Sequence, residues 1–153
     1  AKEVALRQLD VRARSQHELE SAMTSRGFSS ETAREVIERL AELGLVDDLA
    51  FAHAFARGRF EAGGKTGSAL KMDLSRKGLS SQIIAQVLSE IDADEEYSRA
   101  HALAEKKMRS LTVHDRQVIR RRLFSMLARK GYAPQVCIRV IDELLESEDC
   151  DEL

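Results

Sequence analysis

A single proline, no tryptophan, two cysteines, five phenylalanines and two tyrosines are all that the 153 residues hold of these types. Cys137 and Cys150 are too few for a disulfide framework, and nothing in their setting points to an oxidising compartment. No apolar run approaches the ~18 residues that a membrane helix requires, so no membrane span is expected. The opening Ala1-Lys2-Glu3-Val4-Ala5-Leu6-Arg7 carries an acid and no apolar stretch, so no secretory leader is expected and the chain is read as cytoplasmic. What is present is 43% hydrophobic and 33% charged, with a net charge of −2. That apolar content is too high, and that charge too small, for a disordered chain. The length suits one ordinary domain or a few small units sharing a core.

Self-similarity organises the rest. Gly27-Phe28-Ser29, Gly78-Leu79-Ser80 and Gly131-Tyr132-Ala133 share a glycine, an apolar residue and a small one. A basic residue precedes each glycine, namely Arg26, Lys77 and Lys130. Leucine stands eight places upstream (Leu19, Leu70, Leu123), and Met23, Leu74 and Leu127 stand four upstream. Nine downstream come Val36, Val87 and Val140, each followed by an aliphatic, Ile37, Leu88 or Ile141. So many matches at fixed offsets mark an internal repeat.

Each copy reads as three helices, and no stretch alternates with period two, so no strands are expected. In the first copy a helix over 3–12 precedes Ser15-Gln16-His17-Glu18, which has capping-box form. The helix that follows ends at Gly27, suited to the left-handed conformation. A third buries Ala33, Val36, Ile37 and Leu40 and stops at Gly44. The second copy predicts helices near 48–61, 67–77 and 81–91, and the third near 94–110, 115–130 and 134–146. Pro134 falls in a first turn, where its missing N–H costs least. The expected fold is all-α, an elongated curved array of three tandem three-helix repeats over 1–46, 47–92 and 93–153, the last with an acidic C-terminal tail.

Particular residues add a likeness. Arg14-Ser15, Glu18-Leu19, Gly27-Phe28, Gly44-Leu45-Val46-Asp47-Asp48-Leu49-Ala50-Phe51-Ala52 and Lys77-Gly78-Leu79 resemble the RecX family. The resemblance spans essentially the whole chain, and the Gly-Leu-Val-Asp-Asp-x-x-Phe-Ala stretch is its most specific piece. It implies tandem three-helix repeats that bind the RecA filament on DNA and restrain ATP hydrolysis, strand exchange and repressor cleavage. It also implies a contact with single- or double-stranded DNA. The protein is expected to act as a monomer. Physically the motif is modest. Gly44 ends a helix, Leu45 and Val46 pack at a repeat junction, Asp47 caps the next helix and Asp48 favours its positive end. Phe51 and Phe55 share that helix's buried face.

The small net charge conceals segregation. Arg99 to Arg139 holds eleven basic residues against Glu105 and Asp115, with acids on both flanks. Within it, Arg116, Arg120, Arg121 and Arg122 surround the apolar Ile119, Leu123, Met126 and Leu127. At 100° per residue Gln117, Arg121, Phe124 and Ala128 point away from those apolar residues. Seven places before the other two glycines stand Glu20 and Lys71, so Phe124 breaks a polar rule beside Arg120 and Arg121. An aromatic among arginines suits a protein or nucleic-acid contact. The competing expectation is that Phe124 packs on a neighbouring helix while the arginines pair with Glu143, Glu146 or the tail. Arg57, Arg59, Lys65 and Lys71 form a smaller basic set in the second repeat. Aligned with Arg120 and Arg121, they would make a stripe for phosphate or an acidic filament surface; Arg116 is a further candidate contact on the same helix. Arg26, Lys77 and Lys130 are accounted for by the helix dipole.

Signals of chemistry are weak. Gly63-Gly64-Lys65-Thr66 looks like a phosphate-binding loop, but the required glycine five residues before Gly64 is Arg59. The glycines read instead as a flexible connection. His17, His53, His101 and His114 lack metal-ligand spacing, and His53 reads as a core or boundary residue. Cys137 reads as a packing residue and Cys150 as exposed and free. No nucleophile has a base beside it, so neither enzyme activity nor a cofactor or metal is expected. Two other functions fit a helical repeat. One is independent DNA binding, for which the helix over 31–43 is poorly suited because Glu31, Glu35, Glu38 and Glu42 outnumber Arg34 and Arg39. The other is a general protein-interaction scaffold.

Overall fold

A computed structural model describes residues 1–151, with side chains through residue 148. Among the described residues every regular element is a helix. They run α1 (Lys2–Val11), α2 (Gln16–Thr24), α3 (Ser30–Glu42), α4 (Asp48–Gly63), α5 (Gly67–Arg76), α6 (Ser81–Ser89), α7 (Ala93–Ser110), α8 (Arg116–Arg129) and α9 (Pro134–Asp151). None is long and apolar enough to cross a membrane. The all-α fold and the helices expected in each repeat are therefore present. Cys150 has its side chain outside the described residues, as does much of the acidic tail.

The chain forms two compact units. The first takes Ala1–Arg57 and Met72–Val87, the second Gly58–Lys71 and Leu88 onward. The first unit is centred on Ala5, Leu19, Met23, Ala33, Ile37, Leu40 and Val46. Its helix ends are set by the sequence. Ser15 accepts from the Glu18 amide at 3.2 Å while the Glu18 carboxylate accepts from the Ser15 amide at 3.1 Å, completing the capping box. Asp47 accepts from the Ala50 amide at 3.1 Å, as a capping residue should. Asp48 goes further and accepts from the Gln16 amide at 2.9 Å, tying α4 to the start of α2.

Two expectations in this unit need correction. Val46 is buried, but Leu45 is half exposed, because successive residues of the short link after Gly44 face opposite ways. His53 is exposed rather than a core residue. It lies 200° around the helix from both Phe51 and Phe55, which stack on each other at 5.9 Å.

The second unit is centred on Ala100, Ala104, Ile119, Leu123, Leu127, Tyr132, Cys137, Val140, Ile141, Leu144 and Leu145, contributed by α7, α8, the following turn and α9. Cys137 is a buried packing residue here, and burial pushes its thiol pKa up. The Gly63-to-Thr66 segment is pinned, not flexible. The Thr66 amide donates to Lys130 O at 2.9 Å and the Lys130 ammonium donates to Gly63 O at 2.7 Å. Gly131, at φ +99°, sits so close that a Cβ there would lie 1.8 Å from Thr66 O. Only glycine allows that approach.

The first unit repeats this arrangement with different partners. The Ser15 hydroxyl donates to Lys77 O at 2.7 Å, and a Cβ on Gly78 would lie 2.2 Å from His17 side-chain atoms. The Lys77 ammonium reaches Glu18 at 3.2 Å and sits 5.5 Å from the Phe55 ring. In both units, then, a Lys-Gly turn docks on the start of the preceding repeat's middle helix. The helix dipole does not by itself account for Lys77 and Lys130. Each has a long-range partner, whereas Arg26 is exposed.

Candidate functional site

The third repeat departs from the other two at this docking position. Helices α2 and α5 begin eleven residues before Gly27 and Gly78, whereas α8 begins fifteen before Gly131. The difference is about one turn. Asp115 caps the longer helix by accepting from the Gln117 and Val118 amides at 2.9 and 3.4 Å. Counted back from the glycines, Arg120 and Arg121 therefore occupy the places held by Gln16 and His17 in α2 and by Gly67 and Ser68 in α5.

A groove of about 690 Å³ runs beside this stretch of α8 and against α9. Ile141 and Phe124 line it with Ile138, and Arg116, Gln117, Arg120, Arg121 and Ser125 complete its wall. Ile119, Leu123 and Leu127 bury the opposite face of α8, which turns the arginines outward. Arg120 pairs with Asp142 at 2.5 Å. Arg116 donates to Leu145 O at 3.4 Å. Arg121 is exposed and has no ion-pair or hydrogen-bond partner among the described residues.

Phe124 is not on a wholly wet face. It is half buried, packing against the core of this unit while still lining the groove. Arg120 takes Asp142 and not Glu143. Glu143 is bound by Arg139 at 3.4 Å and by the Tyr97 hydroxyl, and the Arg139 guanidinium lies 4.4 Å from the Tyr97 ring.

Of the eight residues singled out in sequence, the structure gathers Arg116, Arg120, Arg121 and Phe124 on one groove. Arg57 lies in the first unit. Arg59, Lys65 and Lys71 lie in the second but do not line the groove. Ile138 is the residue that sequence reading missed. Half of it is exposed, and its counterparts seven places after the other glycines are Arg34 and Ala85. The comparison that exposed Phe124 would have found Ile138 had it been carried past the glycine. Chemistry is not what the groove offers. It holds donors and apolar surface, with no carboxylate-histidine or thiol arrangement in its wall. Among the described residues no cluster of His, Cys, Asp and Glu could hold a metal.

Comparison with known proteins places the repeats. Residues 1–40, 47–88 and 94–141 match the first, second and third three-helix domains of RecX. A regulatory protein RecX from Amycolatopsis mediterranei is 39% identical over 145 residues, covering 95% of this chain and 83% of that one. The regulatory protein RecX of Streptomyces coelicolor is 36% identical, covering 99% of this chain and 80% of its own. The crystal structure of RecX from Lactobacillus salivarius superposes with a TM-score of 0.85 at 23% identity, covering 94% of this chain and 93% of that one. That last likeness concerns the fold.

Proposed function

The chain belongs to the RecX family, and on that premise we propose that it regulates the RecA recombinase by binding, without chemistry of its own. The partner is the RecA filament on DNA. Helical modules laid along the filament bridge neighbouring protomers and restrain the motions that ATP turnover and strand exchange need. The observation that carries this reading is the α8/α9 groove, where arginine donors flank an exposed apolar strip. Such a surface offers charge for encounter and an anchor for residence. Arg57 in the first unit and Arg59, Lys65 and Lys71 in the second add further positive charge for acidic protein or phosphate.

The test is RecA-driven ATP hydrolysis on single-stranded DNA with this protein added. Turnover should fall as the protein approaches stoichiometry with the filament. Unchanged turnover at a stoichiometric excess would defeat the proposal. DNA affinity that collapses steeply with salt, without any effect on RecA, would instead favour an independent DNA-binding protein.

A further inference from the structure

The two internal docking contacts show by contrast what the third repeat offers. In each of them a backbone carbonyl at the end of the next repeat's middle helix meets a donor at the start of the preceding one. Lys77 O faces the Ser15 hydroxyl, and Lys130 O faces the Thr66 amide. The acceptor end of one helix thus meets the donor end of another. On α8 the equivalent position lies within the helix, where backbone amides are already bonded to carbonyls four residues earlier. By the glycine register that position is Ile119, buried in the core of the unit with its amide bonded to Asp115 O, and the two residues after it, Arg120 and Arg121, turn outward beside Phe124 and Ile138. The face is therefore not a third copy of the internal contact: it offers charge and apolar area where the internal contacts offer a buried donor.

We propose that this groove is a protein-docking site for an acidic segment of the RecA partner that carries an apolar anchor. Carboxylates or helix-end carbonyls meet Arg121, and the anchor lies on Ile138 and Phe124. The inference rests on the regulatory reading above and adds the chemistry of the docked segment. Two observations favour protein over nucleic acid as the occupant. The groove sets Phe124, Ile138 and Ile141 beside its arginines, so much of what it offers is apolar surface. The groove also presents an aliphatic side chain, half exposed, where the other repeats have Arg34 and Ala85. A backbone-phosphate surface would gain from arginine there and gains little from isoleucine.

Ile138→Arg separates the two occupants. Being half exposed, the position accepts arginine without disturbing the core, and unchanged helicity verifies this. If a protein anchor rests on Ile138, the full-length variant should bind RecA filaments on single-stranded DNA about tenfold or more weakly than wild type in co-sedimentation. Its affinity for the bare oligonucleotide should stay level or rise. Phe124→Ala should show the same split, and a photo-crosslinker at position 138 should label an acidic stretch of RecA. Filament binding that is unchanged or tightened by Ile138→Arg, or a crosslink to DNA, would overturn the docking site while leaving regulation intact. Wild-type protein that fails to bind the filament would overturn both.

Discussion

Glu18 offers a stringent test of how the first unit is held together. Burial alone would push its carboxyl pKa up, but hydrogen bonds from Arg12, the Ser15 amide and Lys77, together with the Lys77 charge, bring it down to about 2. Arg12 lies 2.6 Å away and Lys77 3.2 Å. Against an ordinary value of 4.5, the full difference corresponds to about 3 kcal/mol at about 1.36 kcal/mol per pH unit. Solvent reaches part of the carboxylate, and screening reduces the contribution to about 1–2 kcal/mol.

Glu18→Gln keeps the side chain's shape and removes its charge. Because the folded pKa lies below the unfolded one, the wild-type advantage is complete above pH 4.5 and is lost as pH falls toward 2. Urea unfolding followed by far-UV circular dichroism should show the variant about 1–2 kcal/mol less stable at pH 7. Roughly half of that gap should be gone by pH 3. Tyr97 and Tyr132 both belong to the second unit, so their fluorescence reports that unit and amide exchange in α2 reports the first. A difference below about 0.5 kcal/mol at pH 7, or a gap that persists undiminished at pH 3, would refute this electrostatic account.

Other substitutions probe the two docking turns and the groove. Gly131→Ala must relieve a Cβ clash with Thr66 O at positive φ and should cost about 3 kcal/mol or more, seen as a lowered melting temperature. Ser15→Ala removes both a cap acceptor and the donor to Lys77 O, and should cost about 1–2 kcal/mol in urea unfolding. Tyr132→Phe should lie within about 1 kcal/mol of wild type or be slightly more stable. Its hydroxyl is buried with no hydrogen-bond partner among the described residues, and burial carries its pKa up to about 12 against the pull of Arg99. Reversing Arg120 and Arg121 to glutamate together with Phe124→Ala should abolish inhibition of RecA turnover while helicity is retained. Inhibition that survives all three changes would remove the groove from the functional surface.

Most of the fold was legible because its determinants are local. Ser15 and Glu18 announce a capping box, Pro134 opens a helix, and Leu19, Met23 and Ile37 recur at helical spacing in all three repeats. The site was legible in part. Phe124 could be suspected by comparing repeats, and Ile138 could have been found the same way. What sequence could not supply were contacts between repeats. Gly63 and Thr66 looked like a loose linker because their constraint comes from Lys130 and Gly131, some sixty-five residues on. Lys77 looked like a helix-end charge until Ser15 and Glu18 arrived beside it. His53 was misjudged by a rotation that two neighbouring phenylalanines disguised.

The Lys-Gly turns also bear on how this protein can be cut. A fragment ending near residue 46 would carry Ser15 and Glu18 without Lys77, and one starting near residue 93 would carry Lys130 and Gly131 without Thr66. Each would expose a surface that the intact chain covers. The sequence repeats and the compact units of the fold are thus out of phase. Dissection by sequence similarity would yield pieces that look complete on paper and are torn at their most closely fitted seams.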